Sequence, residues 1–422
     1  MSRFYQRFDQ KMTAFFSNKV HVALLFAFLF TYIVASIIGT PLLWFISATI
    51  VSVVVVELAL SRVALRPIEC EREITPVGTE DGLARWVTRV TNHGRFPRLF
   101  IIVSDTLPEW VKPVGSPAQH LVQLIWGGQT LELQTTLELR KRGKYRLGPL
   151  VLRAADPLGL FNSSATHAAD VELTVFPRRL KVEGLGFAGG GELGTYHLQR
   201  AAIASDALEF HGVRDYRPGD PLRHIHWKAT AHLGEFRVIE FEETLSTDMT
   251  LLLDLQEGSD VGEGKETTLE YGVVIAASLA EYLIHRGNTV QLVLHNGEKV
   301  QAASAHSDKT FYGFLDLLAG AEARSPLSMG ELAEAAEPWI RNESSVILIS
   351  SAPSESLCAA AKTLMRRYRA RVGCFALDRE SFEDVSQSFQ HALSYDALLS
   401  VGAAVRVVRC GDDLRKVLEA DG

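Results

Sequence analysis

Two blocks of unbroken apolar sequence open the chain, and the pattern after them changes to short alternating runs. Val20 to Ile38 and Leu42 to Leu60 are each 19 residues long and contain only His21 and Glu57 as ionisable groups. At 1.5 Å of rise per residue, a helix of that length spans about 28 Å, close to the thickness of a hydrocarbon core. Gly39-Thr40-Pro41 between them is a helix-breaking turn. The pattern predicts a transmembrane helical hairpin within residues 1–66. A cleaved signal peptide is the rival reading of the first block, but it does not account for a second full-length span directly behind it. Arg3, Arg7, Lys11 and Lys19 precede the first block, Arg62, Arg66 and Arg72 follow the second, and the turn carries no charge. The positive-inside rule then predicts that both ends of the hairpin, and all that follows, face the cytoplasm. Glu57 lies one turn from the predicted boundary, within reach of water or of Arg62.

Residues 67–180 read as an all-β domain. Leu131, Leu133, Thr135, Leu137 and Leu139 alternate with polar residues, as do Ala84, Trp86, Thr88 and Val90. A period of two marks a strand with one buried face. Val171, Leu173 and Val175 repeat it, and turn residues such as Asn92-His93-Gly94, Gly127-Gly128, Arg142-Gly143 and Gly148-Pro149 separate the runs. Short strands at this spacing predict an immunoglobulin-like sandwich. Residues 181–247 read as a linker with an unusual charged segment. The glycines from Gly184 to Gly191 have neither a strand before them nor a helix after them, so a connector is a better reading than a phosphate loop.

From residue 248 to 422 strands and helices alternate. Met249 to Leu253, Val290 to Leu294, Val346 to Ile349, Val372 to Ala376 and Val405 to Val408 are short apolar runs of the kind found in buried parallel strands. Between them, Thr267 to His285 and a segment through Ala359, Leu364 and Tyr368 have helical periodicity. This rhythm predicts a doubly wound α/β domain, whose ligands bind beyond the carboxyl ends of its strands, here near Asp254 and Ser350-Ser351.

Composition narrows the function classes. With 43 Lys and Arg against 50 Asp and Glu, the net charge of −7 gives no support to nucleic-acid binding. The four cysteines, Cys70, Cys358, Cys374 and Cys410, form no CxxC pair, which argues against a disulfide scaffold or a zinc ribbon. Gly258 to Lys265 is one residue too long for a phosphate loop, and Glu266 stands where that loop needs a hydroxyl. A metal site of the von Willebrand factor A type is built on an Asp-x-Ser-x-Ser loop after the first strand. Asp254-Leu-Gln-Glu-Gly-Ser259 keeps the aspartate and loses both hydroxyls at that spacing, and Ser350 or Ser351 stands where a second aspartate is expected. Hard cations need several oxygen ligands, so Asp254, Ser259 and Ser350 read as a degenerate site without metal, and Asp254 as a cap for backbone amides.

Residues 206–243 are the most unusual segment. Charged and histidine side chains crowd around Phe210, Tyr216, Trp227 and Phe236, and Pro218-Gly219 predicts a tight turn. His224 and His226, with His211 or His232, could ligate a metal, and Asp215 and Asp220 could serve acid–base chemistry; this is the hydrolase alternative. No nucleophile motif accompanies them. The other reading is an ion-pair network in which Glu209, Asp215 and Asp220 hold Arg214, Arg217 and Arg223.

The run Glu209-Phe210-x-x-Val-Arg214-Asp215-Tyr216-x-Pro218-Gly219-Asp220-x-x-Arg223-x-Ile-x-Trp227-Lys228 resembles the signature of bacterial domain-of-unknown-function family 58 (DUF 58). Arg142-Gly-x-Tyr-x-Leu-Gly-Pro149 and Asp156-Pro-Leu-Gly-Leu-Phe161 are similar to that family's second signature. The resemblance implies a membrane hairpin, a β domain and a von Willebrand factor A-like tail, in a bacterial inner membrane. It further implies an adaptor or assembly role beside a MoxR-type AAA+ ATPase and often a transglutaminase-like membrane protein; no catalytic residue, metal or cofactor is expected. In that reading the signature residues dock domains and partners.

Overall fold

The computed structural model describes residues 19–74, 77–115, 119–155, 160–167, 170–185, 207–215, 226–244, 249–342, 344–352, 354–383 and 396–419. The chain divides into two compact units, Met1–Arg140 with Tyr145–Leu173, and Lys141–Lys144 with Thr174–Gly422.

Helices α1 (Lys19–Ile38) and α2 (Pro41–Val63) form the expected hairpin. Pro41 starts α2 at a position where its missing N–H leaves no gap in the helix. Both are long and apolar enough to cross a membrane. Their burial is inverted relative to a soluble helix: the buried residues of α2 are Ser47, Glu57 and Ser61, while Phe26, Phe30 and Phe45 are exposed. The Ser47 hydroxyl donates to Thr31 Oγ1 across the hairpin at 3.0 Å, and Tyr32 meets Trp44 edge-on. Small polar groups joining two helices with apolar exteriors is the pattern a lipid solvent selects.

Eleven strands follow among the described residues: β1 (Ile68–Ile74), β2 (Val77–Thr79), β3 (Leu83–Asn92), β4 (Arg98–Asp105), β5 (Val111–Val114), β6 (Gln119–Ile125), β7 (Thr130–Leu139), β8 (Gly143–Leu147), β9 (Leu150–Ala155), β10 (Asn162–His167) and β11 (Val171–Phe176). They assemble in the orders β1-β3-β7-β5, β10-β9-β4-β6 and β2-β11-β8. The period of two is realised: Ala84, Trp86, Thr88 and Val90 are buried along β3, and Thr135, Leu137 and Leu139 along β7. One core cluster draws Ile68, Cys70 and Val90 from the first sheet and Ile101, Val103, Val122, Leu150 and Leu152 from the second. Leu65, two residues after α2, is buried in the same cluster, and the hairpin and the β-rich part share one unit.

In the second unit, β12 (Ala207–Asp215) and β13 (Arg237–Thr244) form an antiparallel ladder with a register shift between Phe210 and Gly212, and α3 (Trp227–Leu233) lies between them in sequence. After β14 (Met249–Leu253) comes a two-residue ladder of β15 (Gly262–Glu263) with β16 (Glu266–Thr267), then α4 (Thr268–His285). The chain continues through β17 (Val290–His295), β18 (Val300–Ala305), α5 (Asp308–Ala319), α6 (Met329–Ala335), β19 (Ser345–Ser350), α7 (Ser354–Tyr368), β20 (Arg371–Leu377), α8 (Arg379–Phe382), α9 (Asp396–Val401), β21 (Ala404–Val408) and α10 (Leu414–Glu419). The sheet order is β18-β17-β14-β19-β20-β21, parallel except for the edge strand β18. That is a doubly wound order with one antiparallel edge. Strand β18 and helices α5 and α6 are additions to what periodicity predicted. Helix α4 is buried nearly all round, and a Cβ on Gly272 would meet Leu253 and Ile349 side chains at 3.3 Å, so the glycine sets how closely α4 lies on the sheet.

Candidate functional site

The carboxyl ends of β14 and β19 bring Asp254, Ser259, Ser350 and Ser351 together. Asp254 is buried, and both of its carboxylate oxygens are occupied by the protein itself. Oδ1 accepts the Gln256 amide at 2.9 Å, and Oδ2 accepts the Ser350 hydroxyl at 2.5 Å. The Ser350 Oγ in turn accepts the Ala352 amide at 2.8 Å, so the residue bridges two loops. Ser259 enters through its carbonyl oxygen, which accepts from the Ser351 hydroxyl at 2.8 Å and from Thr268 Oγ1 at 2.7 Å. Gly258, at φ = 80°, turns the loop so that the Ser259 amide reaches the Gln256 carbonyl.

Burial pushes the Asp254 carboxyl above the ordinary aspartate range, and the bonds from Ser350 and the Gln256 amide pull the other way. A hard cation would find one carboxylate here, already engaged, where it needs six to eight oxygens. Among the described residues, no group of three or more His, Cys, Asp or Glu side chains could hold a metal ion. The arrangement closes a sheet edge by joining the loop after β14 to the loop after β19.

The signature segment is only partly within the described residues. Tyr216, Pro218, Gly219, Asp220, Arg223 and His224 lie outside them. Glu209, Phe210, Arg214 and Asp215 occupy ladder positions in β12, opposite Glu242, Phe241, Val238 and Arg237. Trp227 and Lys228 open α3. Trp227 is 64% exposed and meets the exposed Phe236 ring edge-on at 6.5 Å. His226 is half-buried and His232 is exposed.

One buried, multiply bonded residue escapes the sequence reading. Periodicity marks Arg142 only as a turn residue of the β domain, yet residues 141–144 belong to the second unit. Its buried guanidinium donates from Nε to Glu270 Oε2 at 2.9 Å and from Nη1 to the carbonyls of Leu318 and Ala321 at 2.7 and 3.0 Å. Glu270 sits in the first turn of α4 and Leu318 in the last turn of α5, so each charge meets the helix end that favours it. Lys141 Nζ adds a bond to the Gly264 carbonyl at 2.8 Å, and Lys144 pairs with Asp316 at 2.8 Å. The available signal was the position of Arg142 at the head of the second signature.

The model of the family described as "Protein of unknown function DUF58" matches residues 212–378. A protein of Bacillus subtilis (strain 168), described as uncharacterized protein YeaD, is 25% identical over 353 residues, covering 80% of this chain and 83% of the relative. Among solved structures, Escherichia coli alpha-2-macroglobulin, from domain MG7 to its C-terminus, is 16% identical over 27% of this chain and 17% of its own length, with a TM-score of 0.22. The CARDB domain of the PF1109 protein from Pyrococcus furiosus is 17% identical over 26% of this chain and 86% of its own length, with a TM-score of 0.19. Likenesses at those scores carry no argument about function. The family match and the relation to YeaD together support a place in the DUF58 family.

Proposed function

We propose that the protein is a membrane-anchored, cytoplasm-facing adaptor of a bacterial inner membrane, without catalytic activity of its own, that works with a MoxR-type AAA+ ATPase. The observation that carries this reading is the closed state of the Asp254 crevice. Where a doubly wound sheet would bind a ligand, both carboxylate oxygens are held by Ser350 and the Gln256 amide. Two further features support it. The exteriors of α1 and α2 are apolar, which suits an anchor. The exposed Trp227–Phe236 pair is of the kind that anchors protein interfaces.

The von Willebrand factor A-like description of the α/β part belongs to the same proposal, supported by the strand order with one antiparallel edge and by Asp254 after the first strand. The immunoglobulin-like description of the β-rich part also belongs here, supported by two antiparallel sheets sharing one core. A transglutaminase-like membrane protein would be a further partner. The test is crosslinking in native membranes followed by purification of the tagged full-length chain. An AAA+ ATPase recovered in proportion to the bait is the expected result. Recovery that is unchanged when the bait is absent overturns the proposal.

A further inference from the structure

The end of the β-rich unit at which α2 arrives carries an exposed aromatic cluster that neither the core nor the Asp254 crevice uses. Strand register collects it. Ile68, at the start of β1, pairs with Asn92, at the end of β3, and the His93 amide donates to the Pro67 carbonyl at 2.8 Å. Arg98 pairs with Ile125, which sets the loop before β4 beside the loop after β6. Ile101 pairs with Ala154, and Asn162 with Ala155, so Leu160 and Phe161 reach the same end. There the Leu160 carbonyl is bonded by His21 Nε2 and the Phe161 ring stacks on His21, at the start of α1.

Phe96 is 71% and Trp126 59% exposed at this end, joined by Leu99 and Phe100. Phe100 has φ = 51°, a left-handed conformation that costs an L-residue energy, and it interrupts the alternation of β4 so that two consecutive apolar side chains face out. The loops are built, not loose. The fully buried Asn92 donates from Nδ2 to the carbonyls of Phe96 and Ile125 at 3.0 and 3.2 Å, and its Oδ1 accepts the Gly94 amide at 2.9 Å. The Gly128 amide closes on the Asn92 carbonyl at 2.7 Å.

We infer that this end is a second membrane contact, in which Phe96, Leu99, Phe100 and Trp126 lie in the lipid headgroup layer. The inference rests on reading α1 and α2 as membrane spans. If Leu60 marks the hydrocarbon edge, the three helical residues after it add about 4.5 Å, while the interfacial layer of one leaflet is about 5–8 Å thick. Pro67 and the loop bonded to it therefore begin within that layer. The Trp126 indole, with its polar N–H edge, favours that depth, Phe96, Leu99 and Phe100 add apolar surface facing the acyl boundary, and the exposed Arg62, Arg66 and Arg95 suit anionic headgroups. Lipid is the occupant because only residues 64–67 separate α2 from β1, and Pro67 is bonded to the loop that carries Phe96.

The test uses the full-length chain with Cys410→Ser removing the exposed native thiol. Single cysteines at Phe96, Trp126, Leu83 and Phe26 receive an environment-sensitive fluorophore. The protein is then reconstituted in phosphatidylethanolamine–phosphatidylglycerol vesicles containing lipids with a shallow nitroxide. Leu83 is exposed at the far end of β3, about 30 Å from Asn92 for nine residues of strand. Labels at positions 96, 126 and 26 should lose most of their fluorescence to the nitroxide, and the label at 83 should lose little. Labels at 96 and 126 that behave like the one at 83, with 26 quenched, would overturn the inference and leave the anchor standing. An unquenched label at 26 would remove the anchor and the inference together. Labels at 96 and 126 shielded from both the nitroxide and aqueous iodide would assign the patch to a protein, a second copy or a partner, and overturn the lipid assignment.

Discussion

Arg142 and Glu270 form a buried ion pair, Nε to Oε2 at 2.9 Å, although 128 positions separate them in the chain. The pair joins the short segment 141–144 to the start of α4, and the Leu318 and Ala321 carbonyls tie the same guanidinium to the end of α5. Planar, multiply bonded recognition of this kind requires arginine.

Arg142→Ala leaves the buried Glu270 with Lys141, at 3.3 Å, as a charge partner and removes the guanidinium from the Leu318 and Ala321 carbonyls. Removing one member of a buried pair costs about 3–5 kcal/mol. Because Lys141 still faces Glu270, chemical denaturation of the full-length protein should show a loss at or below the lower end of that range, and Arg142→Lys should restore only part of it.

Asp254 predicts a pH dependence with a definite sign. Its folded-state pKa is raised, chiefly by burial, so between the unfolded value of about 3.9 and the higher folded value the folded state binds more protons. The contribution of Asp254 to stability is therefore fully present below the unfolded pKa and falls as the pH rises through the folded one. Asp254→Asn lacks that titration. The stability difference between parent and variant should shift in favour of the Asp254→Asn protein as the pH rises through this window, measured by denaturation at a series of pH values.

The same crevice predicts no appreciable magnesium or manganese binding, because its carboxylate oxygens are already bonded. Calorimetry should give no heat attributable to it. Micromolar binding abolished by Asp254→Ala would contradict this account.

Orientation is testable independently of partners. A reporter fused after Gly422 should behave as cytoplasmic, since the flanking charge lies on one side of both spans. Periplasmic activity of that fusion would reverse the topology.

Asp220 and Arg223 lie outside the described residues, and the prediction for them rests on charge pairing. If they join domains, Asp220→Ala should lower the melting temperature, with a cost of about 3–5 kcal/mol, and weaken co-purification of the ATPase. If both alanine variants melt and co-purify like the parent yet fail to complement a deletion strain, catalysis in residues 206–243 becomes the better explanation.

What could be read from the chain alone was whatever neighbouring residues encode. The apolar runs of α1 and α2, the period of two in β3 and β7, and the five-residue run of β14 all report how one segment meets its surroundings. Asp254 and Ser350 could be placed at one sheet edge because parallel strands end together. The edge strand β18, Val-Gln-Ala-Ala-Ser-Ala, has too little apolar contrast to announce itself, and pairing with β17 decides it. The bond of Arg142 to Glu270 and the meeting of the Phe96 and Trp126 loops were also beyond reach. A charge has no period that names its partner, and loops about 30 residues apart become neighbours only when β4 and β6 fix their register. Local side-chain chemistry sets the elements, whereas long-range pairing of backbones sets which side chains share a site.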